Sequence, residues 1–153
     1  MMAQILLALL AILLLVAAAT DLKSRVIANQ LNLAVALLAP LYWWATGMAM
    51  WPDMALQLGL GIAVFAIFAG LFAMGWMGGG DVKLLGALAL WLPIIPFIKL
   101  LVIMSLLGGA LTLIVLAIHR VRKLSANPEI PYGVAIAIAG LWVISEPYLN
   151  QFA

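Results

Sequence analysis

The chain contains no cysteine and a single histidine. Without thiols there is neither a disulfide framework nor a cysteine zinc site, and His119 alone makes no metal centre. Charge is scarce as well. Asp, Glu, Lys and Arg make up 8% of the residues, seven basic against five acidic, where a soluble domain carries about a quarter. A soluble domain is thereby excluded, and so is a nucleic-acid footprint, because the sequence pI near 9.2 reflects only a handful of loop charges.

What fills the chain is apolar: 69% of its 153 residues are hydrophobic, with a mean hydropathy of +1.30. At roughly 20 residues per crossing, this length supplies about six helical spans and no appended soluble domain of ordinary size. Residues 1–153 are therefore expected to form one membrane-embedded domain, an all-α polytopic bundle. The charges gather at positions 21–25, 53, 81–83, 99, 120–123, 129 and 146. A charge at the bilayer centre costs about 2.5–3.5 kcal/mol, so the intervals between clusters read as spans near residues 2–20, 31–50, 54–75, 84–98, 100–118 and 131–149. The fourth interval is only 15 residues long and carries Pro93 and Pro96, which predicts a short or broken helix that leans on its neighbours.

A secretory signal peptide competes for the first interval, since Ala17, Ala18 and Ala19 follow an apolar core. Its flanks are reversed, however: no Lys or Arg precedes Ile5, whereas Lys23 and Arg25 follow the interval. A retained helix with its N-terminus outside is the better reading. Counting spans from there puts Lys23, Arg25, Lys83, Arg120, Arg122 and Lys123 inside and leaves only Lys99 outside, the asymmetry that the positive-inside rule demands. The basic cluster at 120–123 then meets anionic headgroups, with Glu129 expected to pair with Arg122 or Lys123. Tyr42, Trp43, Trp44, Trp51, Trp91, Trp142 and Tyr148 fall toward outer ends and Trp76 and Tyr132 toward inner ones, as interfacial belts or as packing between helices. Gly59, Gly61, Gly108 and Gly109 are read as close-packing positions.

Asp21 follows the first span and Asp81 the third. Odd-numbered spans cross in the same direction, so both carboxylates emerge on one face, the cytoplasmic one. Asp53 and Glu146 belong to the other. Gly78, Gly79 and Gly80 run into Asp81, which predicts irregular backbone where a second chain could dock; the alternative is an ordinary loop whose Asp81 caps the next helix. Two carboxylates sharing a site do not both ionise readily, so one keeps a proton to polarise a carbonyl while the other activates water. This is aspartic-protease chemistry, and it requires no metal and no cofactor. The positive end of the fourth helix beside Asp81 and the negative end of the first beside Asp21 favour an ionised Asp81 and a protonated Asp21. Lys83 either supports the pair or substrate, or snorkels to lipid phosphates. His119 is read as interfacial.

The run Gly78, Gly79, Gly80, Asp81, Val82, Lys83, Leu84 resembles the glycine-x-glycine-aspartate signature of the type IV prepilin peptidase family, membrane aspartyl proteases. Asp21 followed by Arg25, Ile27, Asn29, Leu31 and Leu33 resembles the family's first aspartate motif, although Ala28 stands where many relatives have proline. Ile130, Pro131, Tyr132 and Gly133 resemble a feature at the start of its last span. The resemblance implies that Asp21 and Asp81 are catalytic, and that Gly78, Gly79, Gly80 and Lys83 shape the surrounding loop or bind substrate. It implies prepilin and pseudopilin substrates, cut between a basic leader and an apolar helix at the inner membrane. Larger members add an N-terminal span and a cysteine-rich segment linked to N-methylation; this sequence has neither, which implies cleavage without methyl transfer. The small size resembles the peptidases of Flp or tight-adherence pili, with archaeal preflagellin peptidases sharing the motif.

Two other classes fit parts of the pattern. A small channel or transporter predicts acids near the bilayer midplane and some repeat symmetry. A pilus-assembly subunit predicts that exchanging either aspartate for asparagine is harmless.

Overall fold

The first helix shows how the chain folds. In the computed structural model, whose described residues are 1–122 and 130–149, α1 covers Met2–Ser24. It is apolar on all sides, and its buried residues Leu6, Leu10, Leu14, Ala17 and Asp21 fall at helical spacing along one stripe, flanked by the half-buried Leu7, Leu13 and Ala18. Ile5, Leu9, Ile12 and Leu15 stay exposed, as suits a helix with lipid on its outer side. The inward stripe therefore delivers Asp21 to the interior. The helix stops at Arg25, whose left-handed backbone (φ 56°) lets its N–H donate to Asp21 O at 3.0 Å.

α2 spans Asn29–Ala45, and a kinked segment at Met50–Met54, in which Trp51 is extended (φ −135°, ψ 130°), leads into α3, Ala55–Ala73. α4 is Gly79–Ala89, α5 Ile94–Arg122 and α6 Tyr132–Leu149. Three stretches are long and apolar enough to cross a membrane: Met2–Ser24, Met50–Ala73 and Ile94–Val121; Tyr132–Pro147 is apolar but shorter. The protein is all-helical and integral to the membrane. α4, with 11 residues, rises only about 16 Å at 1.5 Å per residue, half the roughly 30 Å hydrocarbon thickness.

This short helix is the centre of the bundle. It packs against α2, α3, α5 and α6, and Leu84, Leu85, Leu88 and Ala89 are fully buried. Lipid removes the usual hydrophobic drive between helices, so close packing and hydrogen bonds hold such a bundle together. The carbonyls at the C-terminal end of α4 are served from neighbouring helices. Gln57 Nε2 donates to Ala89 O at 2.7 Å and Leu92 O at 2.8 Å, and Trp43 Nε1 donates to Leu90 O at 2.7 Å. Trp91 Nε1 in turn donates to Val35 O at 2.8 Å. Trp43 and Trp91 are thus packing residues and not interfacial ones, whereas Trp44, Trp51 and Trp142 are exposed.

Three expectations are corrected. The break between the fourth and fifth helices lies at residues 90–93 and not at Lys99. Pro93 cannot continue a helix, whereas Pro96 is tolerated in the first turn of α5. Lys99 consequently sits within α5 and forms an ion pair with Glu146 on α6. Gly79 and Gly80 are helical, with Gly78 as N-cap, so the irregular backbone precedes the glycine run, at residues 74–78, where Gly75 has φ 76°. Of the four packing glycines, Gly61 and Gly108 meet neighbours: a Cβ would lie 2.3 Å from Leu90 Cδ2 and 2.8 Å from Tyr132 Cε1 respectively, whereas Gly59 and Gly109 face open space. The pair expected for Glu129 with Arg122 or Lys123 and the placement of the Tyr148 side chain fall outside the described residues.

Candidate active site

Both aspartates line one small cavity of about 200 Å³, together with Arg25, Val26, Ile27 and the glycines Gly78, Gly79 and Gly80. The parity of the spans placed them on one face, and helix packing brings them into one pocket. Asp21 arrives from the last turns of α1, Asp81 from the first turn of α4.

Asp21 is buried, with 5% of its surface exposed. Its Oδ2 accepts the backbone N–H of Val134 at 3.2 Å. Val134 lies in the first turn of α6, where amides lack intrahelical partners and the macrodipole presents about half a positive charge. Gly133 lies against the same carboxyl: a Cβ there would stand 2.9 Å from Asp21 Oδ2 and 2.7 Å from Ile27 Cδ1. The absence of a side chain at Gly133 is what allows α6 to reach the acid.

Asp81 turns back over its own N-cap, so that a Cβ on Gly78 would lie 2.8 Å from Asp81 Oδ2. It precedes the apolar run of α4 and titrates at about 7, raised first by burial and second by the charge of Asp21, with the Gly78 amide opposing. The dipoles of α1 and α4 alone favoured an ionised Asp81 and a protonated Asp21. That expectation left out two features of the fold: α6, whose positive end faces Asp21, and the burial of Asp81.

Gly80 locks the loop after α1 onto α4. A Cβ at Gly80 would sit 3.2 Å from Ile27 Cβ, and Gly80 O accepts from Asn32 Nδ2 at 3.2 Å. Asn32, buried on α2, escaped the sequence reading; its one signal was a polar residue inside an otherwise apolar interval. Lys83 lies outside the cavity and donates to Asn29 Oδ1 at 2.7 Å. His119 lies along α5, its Nδ1 3.3 Å from Val115 O. Among the described residues no cluster of His, Cys, Asp or Glu is suited to hold a metal ion. The pocket brings two carboxyl groups to one cavity, close enough for the charge of Asp21 to raise Asp81.

Fold and pocket define a helical membrane protein built around a short buried helix, with a carboxyl pair at one end of the bundle. The chain belongs to the type IV leader peptidase family, whose family model matches residues 8–114 and so takes in both aspartates. It is a membrane peptidase of the prepilin-processing type. No curated protein and no solved structure matches the chain.

Proposed function

We propose that the protein is an aspartic endopeptidase that removes the basic leader from prepilins or pseudopilins at the cytoplasmic face of the inner membrane. The observation that carries this reading is the shared cavity of Asp21 and Asp81, acids from two helices 60 positions apart in sequence, opened by the glycines at the start of α4. Family membership supplies the substrate class. The distribution of Lys and Arg places the cavity on the cytoplasmic side, where a leader meets an apolar helix.

In this reading Asp21, whose Oδ2 accepts the Val134 amide, is the ionised partner, and Asp81 carries the proton. Asp21 takes a proton from water as the water oxygen bonds to the scissile carbonyl carbon. Asp81 gives its proton to the carbonyl oxygen, forming a neutral tetrahedral diol. Collapse breaks the C–N bond, the leaving nitrogen takes the proton from Asp21, and a diol hydroxyl returns one to Asp81. Nitrogen leaves as the amine of the mature pilin, and the pair is restored. No metal or cofactor enters the scheme, and methyl transfer is no part of it.

The test is cleavage of a co-expressed prepilin, read by gel shift and N-terminal sequencing. The native chain is expected to cut at the end of the leader. Asp21→Asn and Asp81→Asn, present in the membrane at native levels, are each expected to lose cleavage. Native-rate cleavage by either variant would overturn the two-acid mechanism, and failure of the native chain on several prepilins would favour a transport or assembly role.

A further inference from the structure

We infer that the groove between α2, α3 and α4 receives the apolar helix of the substrate, with the amino end of that helix at Asn32. The inference rests on the peptidase reading above and adds where the uncut precursor lies. α2 and α3 both pack on α4, and between them an open groove of about 510 Å³ runs along the bundle. Its walls extend from Asn29 to Ala36 on α2 and from Phe65 back to Leu58 on α3, over a floor of α4. Each wall is about two helical turns long.

The groove is polarised along its length. Asn29, Asn32 and Lys83 stand at the end nearest the aspartates, and the remainder is apolar. An apolar helix entering with its amino end toward the aspartates matches that order, because the first four N–H groups of any helix lack intrahelical acceptors. Asn32 offers the complementary group: it is 95% buried, its Nδ2 is committed to Gly80 O, and its Oδ1 has no hydrogen-bond partner among the described residues. A lipid chain would satisfy the apolar walls but bring no donor to Oδ1. The groove also adjoins the reaction site, since Asn32 touches the carbonyl of Gly80, which lines the aspartate cavity.

The absence of native cysteine makes disulfide trapping clean. Leu33→Cys and Ile62→Cys, at exposed positions of the two walls, and Leu106→Cys, exposed on α5, are each introduced in an Asp81→Asn background. They are paired with single cysteines stepped along the apolar helix of a cysteine-free prepilin, in vesicles containing a thiol-reactive phospholipid. Mild oxidation is expected to cross-link both groove positions, with yield recurring every three to four substrate residues, and to leave Leu106→Cys uncoupled. Coupling at Leu106→Cys alone, coupling of the groove cysteines only to the phospholipid or to a second copy of the chain, or no substrate coupling at all would overturn the groove assignment. Cleavage by the chain with its native acids, measured in parallel, separates these failures from failure of the peptidase reading itself.

Discussion

The backbone N–H of Val134 donates to Oδ2 of Asp21 at 3.2 Å, across 113 residues of sequence. One acid of the pair, carried by the first helix, is thus held by the first turn of the sixth. Gly133, adjacent to that amide, is the position where a single methyl group separates the two. Gly133→Ala places a Cβ 2.9 Å from Asp21 Oδ2 and 2.7 Å from Ile27 Cδ1. Relief of these contacts moves the carboxyl by some tenths of an ångström, and since about 1 Å of misplacement at a reacting group costs roughly 100-fold in rate, a loss of about tenfold follows. The expected result is a loss of that order in cleavage with native membrane insertion, while Gly109→Ala, which meets open space, leaves the rate unchanged. A Gly133→Ala enzyme within a factor of three of native would show that α6 does not position Asp21.

The titration of Asp81 at about 7, against an ordinary 3.8, has a defined sign. The folded state holds a proton that the unfolded chain releases above about pH 4, so folding is most favoured below that pH. This stabilisation is lost as pH rises through about 7. Cleavage, which uses the protonated Asp81, is expected to fall over the same upper limb. Asp81→Asn cannot titrate, so its thermal midpoint should gain on that of the native protein between pH 4 and pH 8. Parallel midpoints for the two proteins across that range would exclude a raised Asp81.

Gln57 serves two carbonyls at the end of α4, Ala89 O at 2.7 Å and Leu92 O at 2.8 Å, from a buried position. Gln57→Leu strands both. An unsatisfied buried polar group costs about 1–3 kcal/mol, so unfolding in detergent should show a loss of about 2–3 kcal/mol. A change below about 0.5 kcal/mol would mean that the stranded carbonyls find other donors.

The Lys99–Glu146 ion pair ties α5 to α6 with both side chains partly exposed, at 45% and 34%. Pairs of this kind contribute about 0–1 kcal/mol. Lys99→Gln is expected to stay within that range and to cleave normally, as cleavage rate and a denaturation curve on the same preparation would show. A severe loss of cleavage would place this end of the bundle in the catalytic machinery.

Much of the architecture was legible because hydropathy and charge act over whole helices. The order of the helices among the described residues and the shortness of the fourth follow from where charges and apolar runs fall. Boundaries were misread where one residue has two physical uses. Lys99 looked like a loop charge because a lone cation is costly in a helix within lipid, yet Glu146 on another helix offsets that cost. The glycine run looked irregular, but Gly78 caps α4 and its two successors fit the first turn. Trp43 and Trp91 are buried because each indole N–H finds a carbonyl on another helix. The dipole of α6 escaped the sequence reading because no local pattern reveals which helix end will face Asp21.

The bond between Asp21 and Val134 also sets an order of assembly. Asp21 leaves the ribosome early and α6 more than a hundred residues later, so the Val134 amide reaches the acid only once α6 has entered the bilayer and docked against α1. A nascent chain that has inserted α1 to α5 carries both aspartates but lacks the amide that orients one of them. On the proposed mechanism, the orientation of Asp21 for cleavage therefore waits on the docking of α6.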